Sequence, residues 1–248
     1  MSTQKYTYIG KGKIYIGPYD GAGPMVFIGN CSQLDITTQE DEQTVADFTQ
    51  AGGGEYDSIR RISAVNFAMT LWDLSPANLA RHLRGETSDI AATPVASEAA
   101  TAYKGGVIAF AKIPDPDVAI TVAPAVGSGS YALGTDYVRT TSGIEILDSG
   151  SIVDATAILV GYTPLASTAL EFLTQAAGQY KLLFEGLNEA NSGKSVVVKG
   201  HNARLGALGT LPLIGSEFAS IQVNGDLLKD LSIVTAGKSQ YFSAQMVN

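Results

Sequence analysis

Residues 64–71 constrain the fold more than any other stretch of the chain. Val65, Phe67, Met69 and Leu71 alternate with Ala64, Asn66, Ala68 and Thr70. A period of two sends successive side chains to opposite faces, so this run is a strand with one face in a core and the other outside it. Residues 31–38 repeat the pattern, with Leu34 and Ile36 on one face and Gln33, Asp35 and Thr37 on the other. Shorter runs of the same kind at 13–17, 25–28, 106–112, 157–162, 179–187, 195–201, 217–223 and 228–234 are bounded by Gly, Pro, Asn or Asp. The chain is therefore expected to be mainly β. Trp72, just beyond the long strand, is expected in the core.

One helix is marked, over 75–84. Ser75 suits the cap, Pro76 the first turn, and Gly85 the end. Leu79 and Leu83 form an i, i+4 apolar pair, which a helix this short needs to pack on a sheet.

Two stretches depart from the strand pattern. Residues 39–58 read as a long loop, and connections of that length are usually functional or disordered. From Asp35 to Asp57 there are seven acids and no Lys or Arg, with Val45, Phe48 and Tyr56 interleaved and Gly52, Gly53 and Gly54 as a hinge. The apolar residues predict docking onto something; the competing reading is a solvated acidic loop. Residues 114–166, bounded by Pro114, Pro116 and Pro164, read as a small β module inserted between strands of a main domain made of 1–113 and 167–248. An elaborated pair of hairpins in the same sheet is the alternative.

Composition excludes several functions. With 24 acids against 16 Lys and Arg, the formal charge is -8, which disfavours a surface that grips phosphates. A single cysteine, Cys31, cannot form an internal disulfide, and His82 and His201 lie far apart, so neither a metal nor a cofactor site is expected. The start of the chain lacks the basic and apolar regions of a signal peptide, which predicts a cytoplasmic product. No uncharged stretch free of Gly and Pro is long enough for a membrane helix. Gly193-Lys194-Ser195 runs into Val196, Val197 and Val198, a strand where a phosphate loop needs a helix. There is no Gly-x-Ser-x-Gly elbow. Catalytic residues are not expected, and the reading is of a protein that is not an enzyme.

The order of these features resembles the major tail tube protein of long-tailed bacteriophages. The likeness is carried by the long strand and helix over 67–80 (Phe67, Met69, Leu71, then Ser75-Pro76 and Leu79), by Tyr180 to Asn188, by Val196-Val197-Val198 and by 218–228. It covers roughly residues 12–112 and 168–235. Residues 131–162, with Gly134-Thr135-Asp136-Tyr137 and Gly161-Tyr162-Thr163, look like a short β element recurrent in phage structural proteins, and their presence departs from the minimal tube fold.

The resemblance implies a β-sandwich with one flanking helix whose sheets join those of neighbours into a β-barrel in a hexameric ring. Stacked rings would form the tail tube of the virion, assembled in the host cytoplasm, with tape measure and terminator proteins as partners and DNA passing through without specific binding. The loop at 39–58 would reach adjacent subunits through Val45, Phe48 and Tyr56. Gln33, Asp35, Thr37, Asn66 and Thr70, small or polar and free of cations, would face the lumen. A tail terminator or a contractile inner tube shares the fold and remains open, as does, from another class, a monomeric carbohydrate-binding β-sandwich.

Overall fold

The computed structural model describes residues 7–247. In chain order it has β1 (Gly10–Pro18), β2 (Val26–Phe27), β3 (Cys31–Ala46), β4 (Glu55–Leu71) and one helix, α1 (Pro76–His82). Then come β5 (Glu86–Ile90), β6 (Val95–Ala102), β7 (Val107–Ala109), β8 (Thr121–Pro124), β9 (Tyr137–Arg139), β10 (Gly143–Ile146), β11 (Thr156–Tyr162) and β12 (Ser167–Glu171). The chain closes with β13 (Gln179–Asn188), β14 (Lys194–Leu205), β15 (Ile221–Leu227) and β16 (Phe242–Met246). The protein is mainly β, as its alternation requires. No helix among the described residues is long and apolar enough to cross a membrane.

The chain divides into two compact units, 1–86 with 171–248, and Thr87–Leu170. The larger holds one sheet in the order β2-β1-β13-β14-β15-β4-β3, all neighbours antiparallel, with β16 on β14. Three strands separate β1 from β4 along that path, yet Ile14 and Ile16 share one buried cluster with Val65, Phe67, Met69 and Leu71. The sheet therefore folds over on itself, consistent with a β-sandwich, and β14 is its bend: residues 196–200 pair with β16 and 203–205 with β15. Burying each large apolar side chain stabilises by roughly 1.5–3 kcal/mol. Gly225 sits opposite Phe67, and a Cβ there would lie 2.5 Å from the Phe67 ring. The glycine makes the space for the ring.

Helix α1 departs from expectation in the face it buries. Asn78 and His82, not Leu79 and Leu83, are its buried i, i+4 pair, together with Ala80. Asn78 Nδ2 donates to the carbonyls of Ile28 (2.7 Å) and Asp73 (2.9 Å), so a polar side chain fixes the helix to the strand ends. Ser75 caps it as expected, but the left-handed residue at its end is Arg84 (φ 50°), one before Gly85.

The smaller unit carries two three-stranded sheets, β7-β10-β9 and β6-β11-β8, around Ile144, Ile146, Ile152, Ile158 and Val160. Phe110 and Tyr162 stack with ring centroids 4.5 Å apart. This corrects the expected boundaries of the insertion. It begins at Thr87, not at 114, because β6 and β7 pair with β11 and β10 rather than with the main sheet. Its Ala-rich β6 and the three-residue β7 carry too little alternation to betray that pairing. Two further expectations fail. No strand covers 228–234, where Leu231 and Val234 are exposed, and β15 lies four residues later than the expected 217–223.

Candidate functional site

The stretch 39–58, expected as a loop, is a β-hairpin. The β3–β4 ladder runs without a break in pairing from Cys31↔Leu71 to Ala46↔Glu55, with bulges at Cys31/Gln33, Gln39/Glu40 and Val45/Ala46. The turn lies between the strands, where Asp47 N–H donates to the Gly54 carbonyl (2.8 Å) and Gly54 takes φ 137°, which a side chain would strain. Charged alternation without an apolar face hid this from sequence reading: a strand exposed on both faces has no hydrophobic period.

The bulge at Gln39/Glu40 divides β3 and β4 into two parts. On the core side, the inner residues of β4 (Val65, Phe67, Met69 and Leu71) are buried and those of β3 (Leu34 and Ile36) half-buried. Beyond it, every residue of β3 and of β4 up to Ser63 is exposed, so the hairpin stands off as an arm. Paired residues share a face, so Gln43, Val45, Ile59 and Asp57 lie on one side of the arm and Glu40, Ile62, Glu42 and Arg60 on the other. Phe48 at the tip is 88% exposed, and Tyr56 and Val45 are 69% and 54% exposed. The structure thus gathers all three expected docking residues on one arm and adds Ile59 and Ile62, which the sequence reading had not singled out. One ion pair crosses it, Arg60 Nε to Glu42 Oε1 at 2.9 Å.

The second surface is the outer face of the same two strands. Gln33 pairs with Thr70, Asp35 with Ala68 and Thr37 with Asn66, so the five expected residues share one face. The next strand extends it: Gln222, Asn224 and Asp226 of β15 lie beside Thr70, Ala68 and Asn66. Asn224 and Asp226 were missed because the strand was ended at 223, and Gln222 within it was not singled out, although their alternation with Ile221, Val223 and Leu227 is legible. Arg204 of β14, beside this face, is bound to Asp226 (Nη2 to Oδ2, 2.7 Å). The face is polar, small in side-chain size and without a free positive charge. Trp72, expected in the core, is 41% exposed and its Nε1 donates to Ser32 Oγ (2.9 Å).

The described residues of one chain form no closed barrel. Among the described residues, β2, β3 and β16 each pair on one side only. Beside the free edge of β3 lies a cleft of about 650 Å³ whose floor includes Leu34, Ile36, Phe184 and Val198. Cys31 lines it, and burial, with a smaller effect from the charge of Asp73, pushes the thiol up to about 11.

The densest polar cluster in the larger unit surrounds Asp230. Its Oδ1 accepts from Ser232 Oγ (2.6 Å), Ser232 N–H (3.0 Å) and Tyr19 O–H (3.0 Å). The Ser232 hydroxyl is foremost in holding this carboxyl below the usual range. Ser232 donates to a carboxylate rather than to a histidine, so the cluster stitches the end of β1 to the C-terminal segment. No group of three His, Cys, Asp or Glu among the described residues could hold a metal ion.

Among known proteins, a family described as "Protein of unknown function UCP028589" has a model that matches residues 7–245. No curated protein matches the chain.

Proposed function

We propose that this chain, which belongs to that family, is a structural protein that self-assembles into stacked hexameric rings, the tail tube of a bacteriophage virion. The observation that carries the reading is the arm. A two-stranded hairpin is at best marginally stable alone in water, and this one exposes apolar residues on both faces and at its tip. Such a surface is what an assembly contact needs and what a monomer gains nothing from.

Two further features support it. The free edges of β3 and β16 are hazards for a solitary protein but become ladders when a neighbour's strand pairs with them. The face formed by β3, β4 and β15 suits the wall of a channel that DNA crosses, because it offers phosphates no unpaired cation. In the ring, this face lines the lumen and the sheets of neighbours join into a barrel. The protein has no catalytic role; its partners are further copies of itself and the other tail proteins.

The arm gives the test. Replacing residues 43–56 with a short Gly-Ser linker spares the fold, since changing the length of a surface connection costs a domain little. Circular dichroism should keep its β-sheet spectrum, less only the contribution of the strand residues removed at 43–46 and 55–56, while sedimentation velocity shows loss of stacked assemblies. Assemblies of normal length from this variant would contradict the proposed role.

A further inference from the structure

The outer face of β1, β13 and β14 differs from the polar outer face of β3, β4 and β15. On β1, β13 and β14, the residues pointing away from the core include Lys11, Lys13, Lys181 and Lys199, all exposed, and a single acid, Glu185. These are four of the 16 Lys and Arg in a chain of net charge -8. Between them, the register places Leu183 next to Lys199 and Leu187 next to Lys11, with Val197 beside Glu185. Leu187 is 40% exposed. The face is a basic frame around an apolar centre.

The arm has the complementary composition. Six acids (Glu40, Asp41, Glu42, Asp47, Glu55 and Asp57) meet two cations, Arg60 and Arg61, and one of those acids is already paired. Its apolar residues lie among the acids rather than apart from them. We infer that the arm of one copy docks on the outer face of β1, β13 and β14 of a second copy, its acids against the lysines and its apolar residues on Leu183, Leu187 and Val197. The inference rests on the proposed assembly and names the receiving surface within it. The occupant is another copy rather than the arm's own chain. Continuous pairing along β3 and β4 keeps the arm extended, and both its faces are exposed in the single chain. Opposite charges around the rim of such a contact speed encounter and fix register, and salt screens them.

The test uses the full chain and three variants. The face variant carries Lys11→Glu, Lys181→Glu and Lys199→Glu; Lys13 is spared because it pairs across the ladder with Glu185. The arm variant carries Glu40→Lys, Asp41→Lys and Asp57→Lys, sparing the Glu42–Arg60 pair. The third combines both. Sedimentation velocity reads the concentration at which half the protein is assembled. Each single set should raise it by at least about tenfold, and the combined variant should return to within about threefold of the wild type. A face variant that loses its β-sheet spectrum is replaced by the corresponding Lys→Gln set, for which a smaller rise in the same direction is expected. Wild-type tubes with variants that assemble equally well would overturn the docking while leaving the tube reading standing. Self-association without rings or tubes, sensitive to these charges and restored by the combination, would support the docking and count against the tube. A wild type that stays monomeric at every concentration would overturn both.

Discussion

His82 lies fully buried on α1, and neither of its ring nitrogens has a hydrogen-bond partner. Burial, with a smaller effect from the neighbouring Arg81 charge, lowers its pKa from 6.5 to about 4. The sign of the consequence is fixed: between those values the unfolded chain binds a proton that the folded chain refuses, so stability is full above about pH 6.5 and falls as the pH drops toward 4. The loss is on the order of 3 kcal/mol. Asp136 and Asp230, whose carboxyls are held low by hydrogen bonds, lose their contribution only at more acid pH, from their ordinary 3.8 downward. His82→Leu removes the buried nitrogens and the titrating group together. It should raise the urea midpoint at pH 5 and flatten the dependence between pH 4 and 6.5; an unchanged slope in that window would mean that the imidazole reaches water.

At the scale of elements, the strands of the larger core were legible and the pairing of the smaller unit was not. Val65, Phe67, Met69 and Leu71 announce β4 because one face is buried, and the same alternation announces the inner half of β3. The arm has no buried face, so its acids and apolar residues give no period, and a strand was read as a loop. Phe48 and Tyr56 could still be singled out, since apolar residues in an acidic stretch stand out by composition alone, and both are exposed on the arm. The polar outer face of these strands was half legible: β3 and β4 supplied five residues, while Asn224 and Asp226 fell beyond an expected strand end at 223 and Gln222 within it was not singled out. For α1 the period was right and the face wrong, because Asn78 is buried by its bonds to two carbonyls rather than by hydrophobicity. The corrected unit boundary makes a prediction. Joining Ile113 to Ser167 would strand β6 and β7 without β11 and β10 and should give a poorly folded chain. Joining Ile90 to Ser167 through a short linker keeps β5 and β12 and should leave the larger unit folded with a single cooperative unfolding transition. Equal stability of the two deletions would contradict this division.

For the whole molecule, the proposed tube assigns one face to the passing DNA. Asn66 and Thr70 lie on the outer face of β4, next to Thr37 and Gln33. Asn66→Lys with Thr70→Lys adds two cations per subunit to the proposed lumen without touching the core residues between them. Each phosphate contact adds to salt-dependent retention because counterions are released. Tubes should still form, and phage carrying them should eject DNA more slowly, with a rate that recovers as salt is raised. Unchanged ejection from correctly assembled mutant tails would assign the lumen to another face. The proposed function requires that the chain assemble. Electron microscopy of the purified protein at increasing concentration tests it most directly: the account predicts hollow rings and tubes of uniform bore, and particles that stay monomeric at every concentration would contradict it.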